Sequence, residues 1–175
     1  MISRCWEGET MGLSINSGET KIVFSVDEIG NNNTDNYSDL DYWMIITVSV
    51  KNRVINYFHH NETLEYGDLV WIRDSFNKLL TGQITENTKL SFIEPDFEFE
   101  LFPKIDLRTI PGYWCAEGHE IQDISTDFII NLTNSKGSYS GERYILPMNR
   151  KKIIAWRDYL NEAILEFDAR NITPE

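Results

Sequence analysis

Apolar and polar positions change rhythm several times along this chain, and each rhythm predicts an element. In "KIVFSVDEI" (21–29), Ile22, Phe24 and Val26 alternate with mostly polar neighbours, as in a strand with one buried face. "YWMIITVSV" (42–50) is aromatic and β-branched, and "RVINYFHH" (53–60) resumes the pattern after Lys51-Asn52. The two predict a hairpin, although its turn lacks the favoured glycine. The spacing then becomes helical. Leu69, Ile72, Phe76, Leu79 and Leu80 recur at steps of three and four, which draws one apolar stripe on a helix closed by Thr81-Gly82.

Strand spacing returns in "KLSFIEP" (89–95) and "DFEFELF" (96–102), divided by Pro95, which has no N–H to give a ladder. "KIDLRTI" (104–110) reads as a third strand. The chain is irregular after Pro111-Gly112 until "DFIINLTN" (127–134) and "YSGERYIL" (139–146), which a polar Ser-Lys-Gly-Ser turn joins into a second hairpin. From 150 to 168, Ile153, Trp156, Leu160, Ala163, Ile164 and Phe167 keep helical spacing behind a cap at Asn149. "MISRCWEGETMGLSINSG" reads as a polar start, and "GNNNTDNYSDLD" (30–41) as an exposed loop. Strands, helix, strands, helix, without a βαβ rhythm, predict an α+β fold. It is a mainly antiparallel β-sheet with two principal helices, the second at the C-terminus. Proline and glycine are scattered, so residues 1–175 read as a single globular domain.

Composition narrows the partners. Twenty-eight acidic against sixteen basic residues give a net charge of −12, which repels phosphate backbones and anionic lipid and attracts cationic groups. Nucleic acid and membranes are therefore excluded as expected partners. With 41% hydrophobic and 13% aromatic residues the chain has material for a core and lies far from disorder. Cys5 and Cys115 read as thiols of a reducing compartment. With no apolar leader or spanning run, the expected location is the cytoplasm.

The sharpest local pattern is "SFIEPDFEFELFP" (91–103), where Glu94, Asp96, Glu98 and Glu100 occupy every second position. On an extended chain these carboxylates share one face, and Phe97, Phe99 and Leu101 share the other. Such a row is either the wet face of an antiparallel strand or a negative ridge that meets lysines and arginines on a partner. It is a poor glycosidase site, because neighbours on an open strand supply no burial to raise one acid's pKa. Two further acid-rich, base-free stretches, Asp27 to Asp41 (with Asp35 and Asp39) and Glu117 to Asp127, would widen the field if the fold gathers them.

Catalytic and metal chemistry find little support. Adjacent His59 and His60 face opposite ways on a strand, and Cys115-X3-His119 supplies two ligands where a structural zinc takes four, so no metal and no cofactor are expected. No nucleophile elbow, phosphate loop or dinucleotide fingerprint occurs. Trp156 and Trp43 read as core, whereas Trp71 lies off its helix's stripe and Trp114 sits in an irregular stretch, so these two are the candidates for exposed anchors. Arg150, Lys151 and Lys152 start a helix, where the dipole disfavours them, and should find carboxylates nearby.

"DYWMIITVSV", the helix ending "FNKLLTG", "LSFIEPDFEFEL" and the long C-terminal helix together resemble the WapI-like immunity proteins of bacterial contact-dependent toxin systems, over residues 41 to 168 in outline. The resemblance implies a small cytosolic antidote, not an enzyme, that binds and neutralises a cognate toxin domain with a basic surface, often a nuclease. Glu94, Asp96, Glu98 and Glu100, with Asp35, Asp39 and Asp41, are then the candidate contact residues. The alternative from the residues alone is a small-molecule or carbohydrate-binding module or an enzyme of unfamiliar type, which would need a concave pocket with convergent polar groups.

Overall fold

The computed structural model describes residues 2–7, 10–29, 42–133 and 138–171. Five strands, β1 (Ile2–Glu7), β2 (Thr10–Ser17), β3 (Thr20–Ile29), β4 (Trp43–Lys51) and β5 (Asn56–Glu65), form an antiparallel sheet in chain order. The first helix, α1 (Tyr66–Leu80), follows β5 directly. A second antiparallel sheet holds β6 (Thr88–Ser91), β7 (Phe97–Phe102), β10 (Ser125–Thr133) and β11 (Tyr139–Asn149) in the order β11-β10-β7-β6. Between β7 and β10 lie the short paired strands β8 (Ile105–Asp106) and β9 (Ile121–Gln122), and α2 (Arg150–Asn171) completes the α+β fold.

Alternation explains which faces pack. Leu13 and Ile15 on β2, Ile22 and Phe24 on β3, and Ile46, Val48 and Val50 on β4 all turn inward and are buried. In the second sheet Phe97, Phe99, Leu101, Phe128, Ile130, Leu146 and Met148 do the same. Phe24 joins the layers. Its ring lies 6.4 Å from Phe97 and 6.3 Å from Phe128 across the sheets, and 4.5 Å from Trp156 and 6.1 Å from Tyr159 on α2. On α1, Phe76 meets Phe99 edge-on, and Tyr66 stacks on Phe167 of α2 and donates its hydroxyl hydrogen bond to Asp168. Both sheets and both helices therefore share one buried cluster.

Local signals account for the boundaries. The β4–β5 turn manages without glycine because the Asn52 side chain accepts from the backbone N–H of Val54 and Ile55 at 2.7 and 2.6 Å. Asn149 caps α2 by accepting from Lys152 N–H, as its position predicts. The structure departs from the sequence expectation in three places. The polar start contains β1 and β2. The stretch from 104 to 110 has only two strand residues before a 3-10 turn at Leu107–Thr109, and β9 lies in the stretch read as irregular. No described helix is long and apolar enough to cross a membrane.

Candidate partner-binding face

The acidic stretch is not one continuous row. β7 begins at Phe97, so Glu94 and Asp96 belong to the turn before it. Asn131 on β10 holds that turn, with its N–H bonding Asp96 O at 2.8 Å and its side-chain amide bonding Pro95 O. Glu94 is exposed, but the expected exposed neighbour Asp96 is buried and accepts from the Tyr139 hydroxyl at 3.2 Å. Burial and the adjacent Asp96 push the Tyr139 phenol up to about 12.

Within β7 the alternation holds: Phe97, Phe99 and Leu101 turn to the core, and Glu98 and Glu100 take the opposite face. Yet Glu98 is buried as well. Lys89 Nζ on β6 reaches its carboxylate at 2.9 Å and Arg143 on β11 approaches at 3.9 Å, so it is an ion-paired residue in the middle of its sheet. Alternation sets a side chain's direction, whereas the long cations of neighbouring strands decide whether water reaches it.

Glu100 differs. It is half-buried, and across the ladder it faces Asp127 of β10. Lys89 sits opposite Glu100 on the other side, but its ammonium turns to Glu98. Among the described residues neither Glu100 nor Asp127 forms an ion pair, and like charges directly opposite destabilise a sheet. Burial, with Glu100 adding to it, holds the Asp127 carboxyl above the usual carboxylate range. Of the row, Glu94 and Glu100 thus present carboxylates to solvent, with Asp127 as a member the row alone could not show. Asp35, Asp39 and Asp41 lie outside the described residues.

The other side of the first sheet carries a polar network. Ser25, Thr47 and His60 are register partners on β3, β4 and β5. Ser25 and Thr47 both donate to Asp27, at the β3 bulge, and His60 Nδ1 lies 2.7 Å from Thr47 Oγ1. Thr47 donates to the carboxylate, so the network assigns His60 Nδ1 as the donor to Thr47. His60 Nδ1 also lies 3.4 Å from the Asp27 carboxylate, so acid, hydroxyl and imidazole close a triangle that orients the ring. His59 faces inward, buried, with Nε2 2.7 Å from Thr63 Oγ1. The two histidines therefore point apart, as expected.

The remaining candidates are quickly placed. Trp156 is fully buried and Trp43 half-buried, while Trp71 is partly exposed beside Phe92 and Trp114 is 84% exposed. Arg150 pairs with Asp123 through hydrogen bonds of 2.6 and 3.0 Å, and Lys152 donates to Pro147 O at 3.0 Å. Cys115 is a free thiol, and no three His, Cys, Asp or Glu side chains among the described residues gather as metal ligands.

The model of the Immunity protein WapI-like family matches residues 13–168, most of the chain. No curated protein matches it.

Proposed function

The chain belongs to the Immunity protein WapI-like family, and from that premise we propose that it is a cytoplasmic immunity protein that neutralises a cognate toxin domain by binding it. The partner in this reading carries a basic surface, as a nuclease does where it holds phosphates. The observation that supports it best is the Glu100–Asp127 pair, two facing carboxylates without a cation of their own. A lysine or arginine from the toxin would relieve that repulsion, so the face gains on binding what it lacks alone.

Glu94 joins this face from the turn. Asp96 and Glu98 contribute indirectly, since their contacts with Tyr139, Lys89 and Arg143 hold the turn and the neighbouring cations. Asp35, Asp39 and Asp41 enter the proposal by charge alone. The mechanism is occlusion, with no bond made or broken.

The reading predicts a toxin domain encoded beside this chain's gene, and the test is protection in cells that produce that domain. The wild-type chain should restore growth, and a variant carrying Glu94→Gln, Glu100→Gln and Asp127→Asn should need a higher dose for the same protection. Growth arrest that a folded wild-type chain does not relieve would refute the reading.

A further inference from the structure

A second feature lies at the far end of the same hairpin. β8 and β9 pair in the same register as β7 and β10, so the ladder that stops near Pro103 resumes at Ile105↔Gln122 and Asp106↔Ile121. Residues 107–120 are therefore the tip of one long hairpin rather than a separate loop. That tip carries Ile110, 40% exposed, Tyr113, 53% exposed, and Trp114, 84% exposed, and Ile121 at its base is 45% exposed. Singly exposed apolar side chains are ordinary on a domain surface, but several on one short segment, rimmed by polar residues, mark a contact site.

The tip is held in shape. Arg108 forks onto the Asp106 carboxylate, which it holds down at about 2, and Thr109 Oγ1 bonds the Asp106 carbonyl. Leu107 N–H bonds Glu120 O at 2.7 Å, Tyr113 N–H bonds Ile110 O at 3.1 Å, and Gly112 turns the chain at φ 75°. The rim is acidic: Glu117 is exposed, Glu120 is half-buried, and neither forms an ion pair among the described residues.

We propose that this tip is the anchor of the toxin contact, with the Trp114 indole, supported by Tyr113, entering an apolar pocket on the toxin domain whose basic rim meets Glu117 and Glu120. The inference rests on the toxin-binding reading and adds the residues that carry the affinity. Six residues of extended chain, about 20 Å, separate the Glu100–Asp127 rung from the Asp106–Ile121 rung. A standard interface of about 800 Å² per partner is about 30 Å across. One partner can therefore reach from the carboxylates to the base of the tip, steered by the carboxylates and held by the aromatics.

The experiment titrates the purified toxin domain that the reading predicts beside this chain's gene into wild type, Trp114→Ala, Tyr113→Ala and Trp114→Phe, with a thermal melt of each. Because Trp114 is exposed, its removal should leave the melt unchanged, weaken binding by about thirtyfold or more, and be partly rescued by phenylalanine. Both alanine variants binding as wild type does would overturn the anchor and leave the toxin-binding reading intact. A folded wild-type chain that does not bind would overturn both.

Discussion

Asp127→Asn should make the protein more stable and a poorer antidote. Asp127 and Glu100 sit directly opposite on neighbouring strands, at a separation of ~5 Å for such cross-strand pairs. Two unit charges at that distance in a water-like dielectric repel by about 0.8 kcal/mol, and salt lowers this for half-exposed groups. A gain of about 0.5–0.8 kcal/mol at pH 7 follows, or about 1–3 °C in Tm for a chain of this size. The pH dependence adds a second handle. Asp127 is held above the usual carboxylate range, so the folded state keeps its proton longer than the unfolded chain does. Wild type therefore loses stability as pH rises through the raised value and carries the full penalty at neutral pH. The variant's advantage should accordingly shrink as pH falls through that raised value, where Asp127 takes up its proton. Urea melts at several pH values read this directly. Glu100→Gln should give a similar gain, and the double variant less than the sum, because either change alone removes the repulsion. An Asp127→Asn protein that is no more stable than wild type at pH 7, or whose gain persists undiminished at pH 4, would refute the reasoning.

Two further outcomes test the fold. Burial is the main cause that lowers the His59 pKa, with His60 adding to it and Asp96 opposing, so the ring should titrate below the ordinary 6.5 in an NMR pH series. Stability should then fall as pH drops below ~6.5, where the unfolded chain gains a proton that folded His59 refuses, and a midpoint at or above 6.5 would contradict its buried placement. Trp156 lies between Phe24, Phe99 and Phe128, and Trp156→Ala should cost about 3–5 kcal/mol in denaturant melts; a loss under about 1 kcal/mol would mean that the shared core is misassigned.

The sequence revealed what depends on spacing and concealed what depends on register. Both helices were legible because Leu69, Ile72 and Phe76, and Ile153, Trp156 and Leu160, repeat over several turns. β2 was hidden. Its inward Leu13 and Ile15 alternate with Gly12, Ser14 and Asn16, which imitate a polar tail, although the period of two is present. The direction of each β7 side chain was readable, but Glu98's burial was not, since Lys89 and Arg143 come from strands whose pairing the sequence leaves open. For the same reason Asp127 read as one acid among many until the ladder set it against Glu100, and Asp27, Thr47 and His60 need three strands in register to form their network. Trp114 was legible because no apolar periodicity surrounds it.

Titration calorimetry with the toxin domain that the reading predicts beside the gene, at two salt concentrations, tests the central claim most directly. The account predicts one-to-one binding whose affinity falls as salt rises, with a smaller salt dependence for the Glu94→Gln, Glu100→Gln, Asp127→Asn variant. A folded wild-type chain that gives no binding heat and no competition in a displacement titration would contradict the claim that this protein is an antidote. Tight binding indifferent to salt and to those three changes would contradict the claim that its acidic face makes the contact.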